Sequence, residues 1–243
     1  FPQDIHLVEN QLINSINSSL MVFDDELIHV ESGGKVKLDH YDANAIAFAG
    51  EQLLADSPEE ISVLLLMPPA EFVASAHSLP GISKENLISA LRLQTETILP
   101  SYEESLSLAI DDNSSDGNSD SIALWLPQTK LDELFEAFKE QNIFLAAIKP
   151  RILNSKIENS DAELLDEDTN DVTFVVFRDG ILRVWQQVNK LDFDQESFSE
   201  QWTSALKAHA NTSIKEHSNV EHYSELLDKS ANSEYNFFPT GAL

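Results

Sequence analysis

The chain has 243 residues, with 15 Lys+Arg against 42 Asp+Glu and a formal net charge of −27. That length suits one large or two modest domains, and 42% hydrophobic residues, including 13 Phe and 3 Trp, supply a real core and exclude wholesale disorder. So negative a field repels phosphate backbones and anionic headgroups, while the absence of cysteine excludes disulfides, thiol catalysis and thiolate metal sites.

Asp4-Ile5-His6-Leu7-Val8 reads as a short strand. Ser19 to Phe23 and Glu26 to Val30 flank Asp24-Asp25, which predicts a hairpin with a two-residue turn. Ser32-Gly33-Gly34 is a loop, and the Ala-rich stretch from Asp42 to Leu54 predicts a helix. Ile61 to Met67 is a continuous apolar run of strand length, as expected for a strand buried on both faces. Pro68-Pro69 ends it, and Glu71 to Ser78 is expected to return antiparallel. Ser83 can cap a helix with Leu87, Leu91 and Ile98 on one face, stopped by Pro100. A strand over Ser105 to Ile110 leads to residues 111–120, wholly polar and expected to be a flexible loop tip.

Ser121 to Leu126 is a further strand. Leu131, Leu134, Phe135 and Phe138 then give the i, i+3, i+4, i+7 signature of an amphipathic helix, closed by Asn142. Phe144 to Ile148 is the next strand. Residues 155–171 carry seven carboxylates and one lysine, which predicts an acidic linker or exposed loop over 154–171, dividing an N-terminal lobe (1–153) from a C-terminal lobe (172–243). Val172 to Phe177 and Ile181 to Val188 flank Asp179-Gly180, the strongest hairpin signal in the chain. Asp194 can cap a helix bearing Phe198, Trp202, Ala205 and Leu206; from Asn211 a polar, loosely packed tail is expected, up to Tyr235-Asn236-Phe237-Phe238-Pro239.

Two alternations of strands and helices predict a bilobed α/β protein, a class that often binds nucleotides. The phosphate-cradling signatures are missing: there is no Gly-x-x-x-x-Gly-Lys-[Ser/Thr] and no Gly-x-Gly-x-x-Gly, and Glu9 to Ser19 holds no Gly, Lys or Arg. His209, His217 and His222 lie at spacings that do not share a helical face, so no metal site is assigned. His77 lies between Ala76 and Ser78, two residues from Ser75, without a nucleophile elbow, and no triad is assigned. Residues 111–120 lack the spacing of a calcium loop. No apolar run reaches the ~20 residues of a membrane helix. Because the sequence starts at Phe1 without a leader, it is expected to be a processed product or an excised piece.

A two-residue turn at Asp179-Gly180 would pair Phe177 with Leu182, Val176 with Arg183, Val175 with Val184 and Phe174 with Trp185. One face would then be apolar (Val175, Phe177, Leu182, Val184). The other would carry Phe174, Arg178, Arg183 and Trp185, the residue types that anchor protein interfaces. These four are the candidate partner-binding residues. The competing expectation is that the arginines pair with the chain's own carboxylates.

Taken together, Ser62 to Glu71, Ser78-Leu79-Pro80-Gly81, Leu87 to Pro100, Glu103-Glu104-Ser105-Leu106, Ala123-Leu124-Trp125, Ile143 to Pro150 and the Phe174 to Trp185 hairpin follow a familiar order. It resembles the cytoplasmic domain of the type II secretion system protein L family; Tyr235 to Gly241 looks like that family's Asn-Leu-Leu-x-Gly element, which precedes a single transmembrane helix. The resemblance implies an actin-like (ribonuclease-H-like) fold with mixed sheets, a degenerate nucleotide site and no cofactor. It also implies a non-enzymatic scaffold on the cytoplasmic face of the bacterial inner membrane. Its partners would be the N-terminal domain of the secretion ATPase, other inner-membrane platform proteins and a second copy of the chain, with membrane attachment only through a helix beyond this chain. The alternative is an actin-like pilus assembly protein that binds or hydrolyses ATP. A third class, an acidic mimic of nucleic acid, fits poorly with the apolar content.

Overall fold

The computed structural model describes residues 2–57, 60–78, 82, 84–99, 103–111, 121–154, 161–195, 200, 215–217 and 235–239. The first residues form helix α1 (Pro2–Ser15), not the expected strand. Ile5, Val8, Leu12 and Ile13 recur at helical spacing, a period that a five-residue window cannot show. Strands β1 (Ser18–Val22) and β2 (Glu26–His29) then make the expected hairpin across Asp24-Asp25, with Val22 opposite Leu27. A short β3 (Lys35–Lys37) extends it. Helix α2 (Ala43–Leu54) is capped by Asp42, whose carboxylate accepts from the Ala45 amide.

β4 (Ser62–Met67) is buried along its whole length, with β1 parallel on one side and β8 (Phe144–Pro150) parallel on the other. Both edges of β4 are therefore occupied, and the following segment cannot return against it. Instead a 3₁₀ turn at Pro69–Glu71 redirects the chain into β5 (Val73–His77), which pairs with β7 (Ser121–Pro127), correcting the expected antiparallel return. With β6 (Leu106–Ala109) these form a three-stranded sheet. One face of β7 (Ile122, Leu124, Leu126) enters the main core. The other (Ala123, Trp125) packs with Leu87 and Leu91 of helix α3 (Lys84–Leu93). That helix breaks at Gln94 before a single turn, α4 (Thr95–Ile98), where one unbroken helix was expected; Ser83 and Pro100 lie outside the described residues. Helix α5 (Gln128–Glu140) buries Leu131, Leu134 and Phe138 and ends at Asn142 in the left-handed region, φ 58°.

The acidic stretch is not a linker throughout. Residues Ala162–Glu167 form β9, pairing with β10 (Asp171–Arg178), which pairs with β11 (Ile181–Asn189). Carboxylates that composition assigns to solvent are buried here, Glu163 and Asp166 among them, because each meets an arginine. A one-turn helix, α6 (Lys190–Phe193), follows, and β12 (Lys215–His217) lies parallel to β9. His217 is on β12. His209, His222, the loop tip 112–120 and the helix expected from Asp194 through Leu206 lie outside the described residues, apart from Asp194, Gln195 and Glu200.

The topology is a duplication. The first lobe contains the order β3-β2-β1-β4 (extended by β8) and the second β11-β10-β9-β12. In each, an antiparallel three-strand meander places its first strand parallel to a fourth. The lobes share apolar contacts, since Leu164, Val175, Phe177 and Leu182 of the second belong to the same core cluster as Leu65 and Phe138 of the first.

Candidate functional site

β1, β4 and β8 run parallel, so their carboxyl ends open on one side, where ligands of open α/β sheets usually bind. The turn after β1 (residues 23–25) leaves from that side. The corresponding turn of the second lobe (residues 168–170) is brought to it by one side chain. Arg151, on a 3₁₀ turn directly after β8, is 0% exposed. Its Nε donates to Asp166 Oδ2 at 2.9 Å, and Nη2 donates to Asp166 Oδ1 and Asp168 Oδ2, each at 2.8 Å. Nη1 donates to the Val22 carbonyl at 2.7 Å, and the guanidinium lies 4.2 Å from the Phe23 ring centroid. Tyr41 is 38% exposed as a residue, yet burial around its hydroxyl raises the pKa above the usual phenol range. Arg151 opposes that shift, while Asp24 and Asp168 reinforce it.

Chemically, this crevice presents carboxylates, a phenol and a guanidinium whose three nitrogens are all engaged. A nucleotide phosphate needs unengaged cations or a ring of backbone N–H groups. Among the described residues, no three or more His, Asp or Glu converge as a metal site would require. A second polar tie between the lobes is Gln187 Nε2 donating to the Pro69 carbonyl at 2.7 Å.

The four residues expected to form one partner-binding face are divided by the structure. The Asp179-Gly180 turn has positive φ at both positions (53° and 76°), and Arg178 pairs with Ile181 and Phe177 with Leu182 as expected. A bulge then inserts Arg183, so Val176 faces Val184, Val175 faces Trp185 and Phe174 faces Gln186. This one-residue shift exchanges Val184 and Trp185 between faces. Trp185 packs against the main core with Val175 and Leu182, while Phe174, 1% exposed, lies on the other face with Val172, Val176 and Val184. Arg178 donates to Glu163 Oε1 at 2.7 Å, which realises the competing expectation for that arginine. Arg183, half-buried, keeps its place on the surface of β11.

The C-terminal segment departs from the expected placement in a C-terminal lobe. Tyr235 to Phe238 returns to the first lobe, where Phe237 and Ile148 exchange backbone hydrogen bonds at 2.8 and 2.9 Å. The Tyr235 hydroxyl donates to the Ile122 carbonyl at 2.8 Å, and the Phe237 ring lies 5.5 Å from that of Phe72. Ser75, singled out beside His77, accepts from Trp125 Nε1 at 2.8 Å and is a packing residue. His29, which the sequence did not mark, meets Ser18 at Nε2 (2.9 Å) and Ser32 at Nδ1 (2.7 Å). Glu31 approaches the same Nε2 as Ser18, so the acid does not orient the ring from its far side as catalysis would require.

With this geometry in view, comparison with solved structures is informative. The chain is similar to the cytoplasmic domain of EpsL, an inner-membrane component of the type II secretion system of Vibrio cholerae. The TM-score is 0.54 at 13% identity, covering 92% of this chain and 89% of that one. The fold is actin-like. A second likeness, to the PilM-PilN type IV pilus biogenesis complex, has a TM-score of 0.52 at 10% identity over 86% of this chain and 68% of that one. No family model and no curated protein sequence matches the chain. Among the described residues, no helix is long and apolar enough to cross a membrane.

The residues that shape the crevice, Arg151, Asp166 and Asp168, were not legible in advance. One signal was available. In a chain with 15 Lys+Arg and 42 Asp+Glu, an arginine directly after a strand-ending proline, followed by Glu163-Leu164-Leu165-Asp166 with apolar residues between two acids, is a candidate for internal pairing.

Proposed function

We propose that this chain is a non-enzymatic scaffold of a type II secretion inner-membrane platform, at the cytoplasmic face, recruiting the secretion ATPase through that enzyme's N-terminal domain. The observation that carries the reading is the filled crevice: at the carboxyl ends of β1, β4 and β8, buried Arg151 takes up Asp166, Asp168 and the Val22 carbonyl. The actin-like fold and its likeness to the EpsL domain support the platform setting. Other platform proteins and a second copy of the chain are the further partners this reading entails. Of the residues expected to contact a partner, Phe174 and Trp185 lie in packing clusters, Arg178 meets Glu163, and Arg183, half-buried on β11, is the position at which the reading is probed.

Calorimetric titration with the N-terminal domain of the secretion ATPase tests this. Micromolar binding that weakens in Arg183→Glu, with the melting profile unchanged, is expected. No heat at high micromolar concentration would remove the recruitment reading, and unchanged affinity in the variant would move the surface elsewhere. The second reading, an ATP-binding pilus assembly protein, is favoured only by the likeness to the PilM-PilN complex. It requires thermal stabilisation by ATP·Mg²⁺, which the scaffold reading does not.

A further inference from the structure

The duplicated lobes meet where their two equivalent hairpins turn, and one buried side chain joins those turns. We propose that Arg151 is an internal interlobe staple, holding the two lobes at a fixed closure that needs no nucleotide, metal or other ligand in the crevice. This goes beyond the scaffold reading, with which it shares the filled crevice: broadening in Asp168→Asn bears on the staple alone, and partner titration on the scaffold alone.

Three observations carry the inference. First, the contacts of Arg151 are divided between lobes. The Val22 carbonyl and the Phe23 ring belong to the first hairpin; Asp166 and Asp168 belong to the second. Val22 lies 129 positions before Arg151, and Asp166 and Asp168 lie 15 and 17 positions after it. Second, the geometry is a fork on a fork: Nε and Nη2 address the two oxygens of Asp166, which restrains orientation as well as distance. Third, the staple is enclosed. The side chains of Arg151 and Asp166 are 0% and 1% exposed and that of Asp168 is 12% exposed, so water competes little for these bonds. The Gln187 to Pro69 hydrogen bond, from β11 to the turn after β4, reinforces the same closure. In proteins whose lobes close on a ligand, the ligand bridges the two lobes. Here Arg151, at the exit of β8, makes that bridge.

These 243 residues contain no cysteine, so two introduced ones are labelled without competition. Spin labels at Glu51→Cys on α2 and Leu191→Cys on α6, both at exposed positions in different lobes, report lobe separation by pulsed dipolar spectroscopy. The parent protein is expected to give one narrow distance distribution, the same with and without ATP·Mg²⁺. Asp168→Asn removes one charged acceptor at the more exposed end of the staple. Arg151→Lys keeps the charge but loses the fork. Each is expected to raise the population of longer distances about tenfold. Broadening in Asp168→Asn, with far-UV circular dichroism and a cooperative melt retained, supports the staple. An unchanged distribution in folded Asp168→Asn overturns it, as does a parent distribution that shifts on adding ATP·Mg²⁺. If Arg151→Lys does not melt cooperatively, Asp168→Asn decides alone.

Discussion

Arg178 tests whether the arginines of the second lobe serve packing or partners. Its side chain is 24% exposed, and its Nη2 meets Glu163, whose side chain is 0% exposed. Replacing Arg178 with Met keeps most of the aliphatic stem and leaves a carboxylate enclosed without this cation. Breaking a fully buried pair costs about 3–5 kcal/mol, and exposed pairs contribute about 0–1 kcal/mol. With one partner enclosed and the other a quarter open, about 2–4 kcal/mol is expected for Arg178→Met. For a chain of this size that lowers Tm by about 5–15 °C. Glu163→Leu in the Arg178→Met background removes the stranded charge and should recover most of the loss. Urea unfolding followed by tryptophan fluorescence measures Arg178→Met, Glu163→Leu and the double variant against the parent, and the double-mutant cycle isolates the pair. If Arg178→Met unfolds within about 1 kcal/mol of the parent, the ion pair is not structural and the side chain is available for a partner.

Three further outcomes are expected. The Tyr41 hydroxyl has a folded-state pKa above its unfolded value of 10.0. It therefore contributes stability that is complete below about pH 10 and lost as pH rises through the folded pKa; the fall in urea midpoint between about pH 9 and about pH 12 should be shallower in Tyr41→Phe, and identical slopes would contradict this. Phe237→Ala empties a site in the core, a loss of up to about 3–5 kcal/mol. Because the Ile148 amide donates to the Phe237 carbonyl, its hydrogen exchange should accelerate while that of Leu65 in central β4 does not; equal protection in the variant would mean that the segment is held by other contacts. Gly180→Ala places a Cβ at φ 76°, where space is open but the backbone is disfavoured, and should cost about 1 kcal/mol by urea unfolding, against no change if the turn relaxes.

Local pattern carried much of this fold. β4 reads as buried on both faces because a strand flanked by two parallel neighbours needs apolar residues at every position, as Val63 to Met67 supply. α5 and the Asp179-Gly180 turn follow from periodicity and from backbone conformations that few residue types adopt. α1 was misread because too short a window hides a helical period. The partner face was misread because a bulge at Arg183 leaves no mark in composition, yet it turns every later side chain of β11 over.

The charge of −27 belongs to the same contrast. Composition alone set the expectation that nucleic acid and anionic lipid are repelled, since the long-range field follows the net charge. Where individual carboxylates would stand was decided by tertiary structure. Residues 162–167 read as solvated acid because their cations lie elsewhere in the sequence: Arg151 comes from the end of β8 and Arg178 from the far end of β10. Burial of a charge depends on a partner that the fold, rather than the neighbouring sequence, brings within 3 Å.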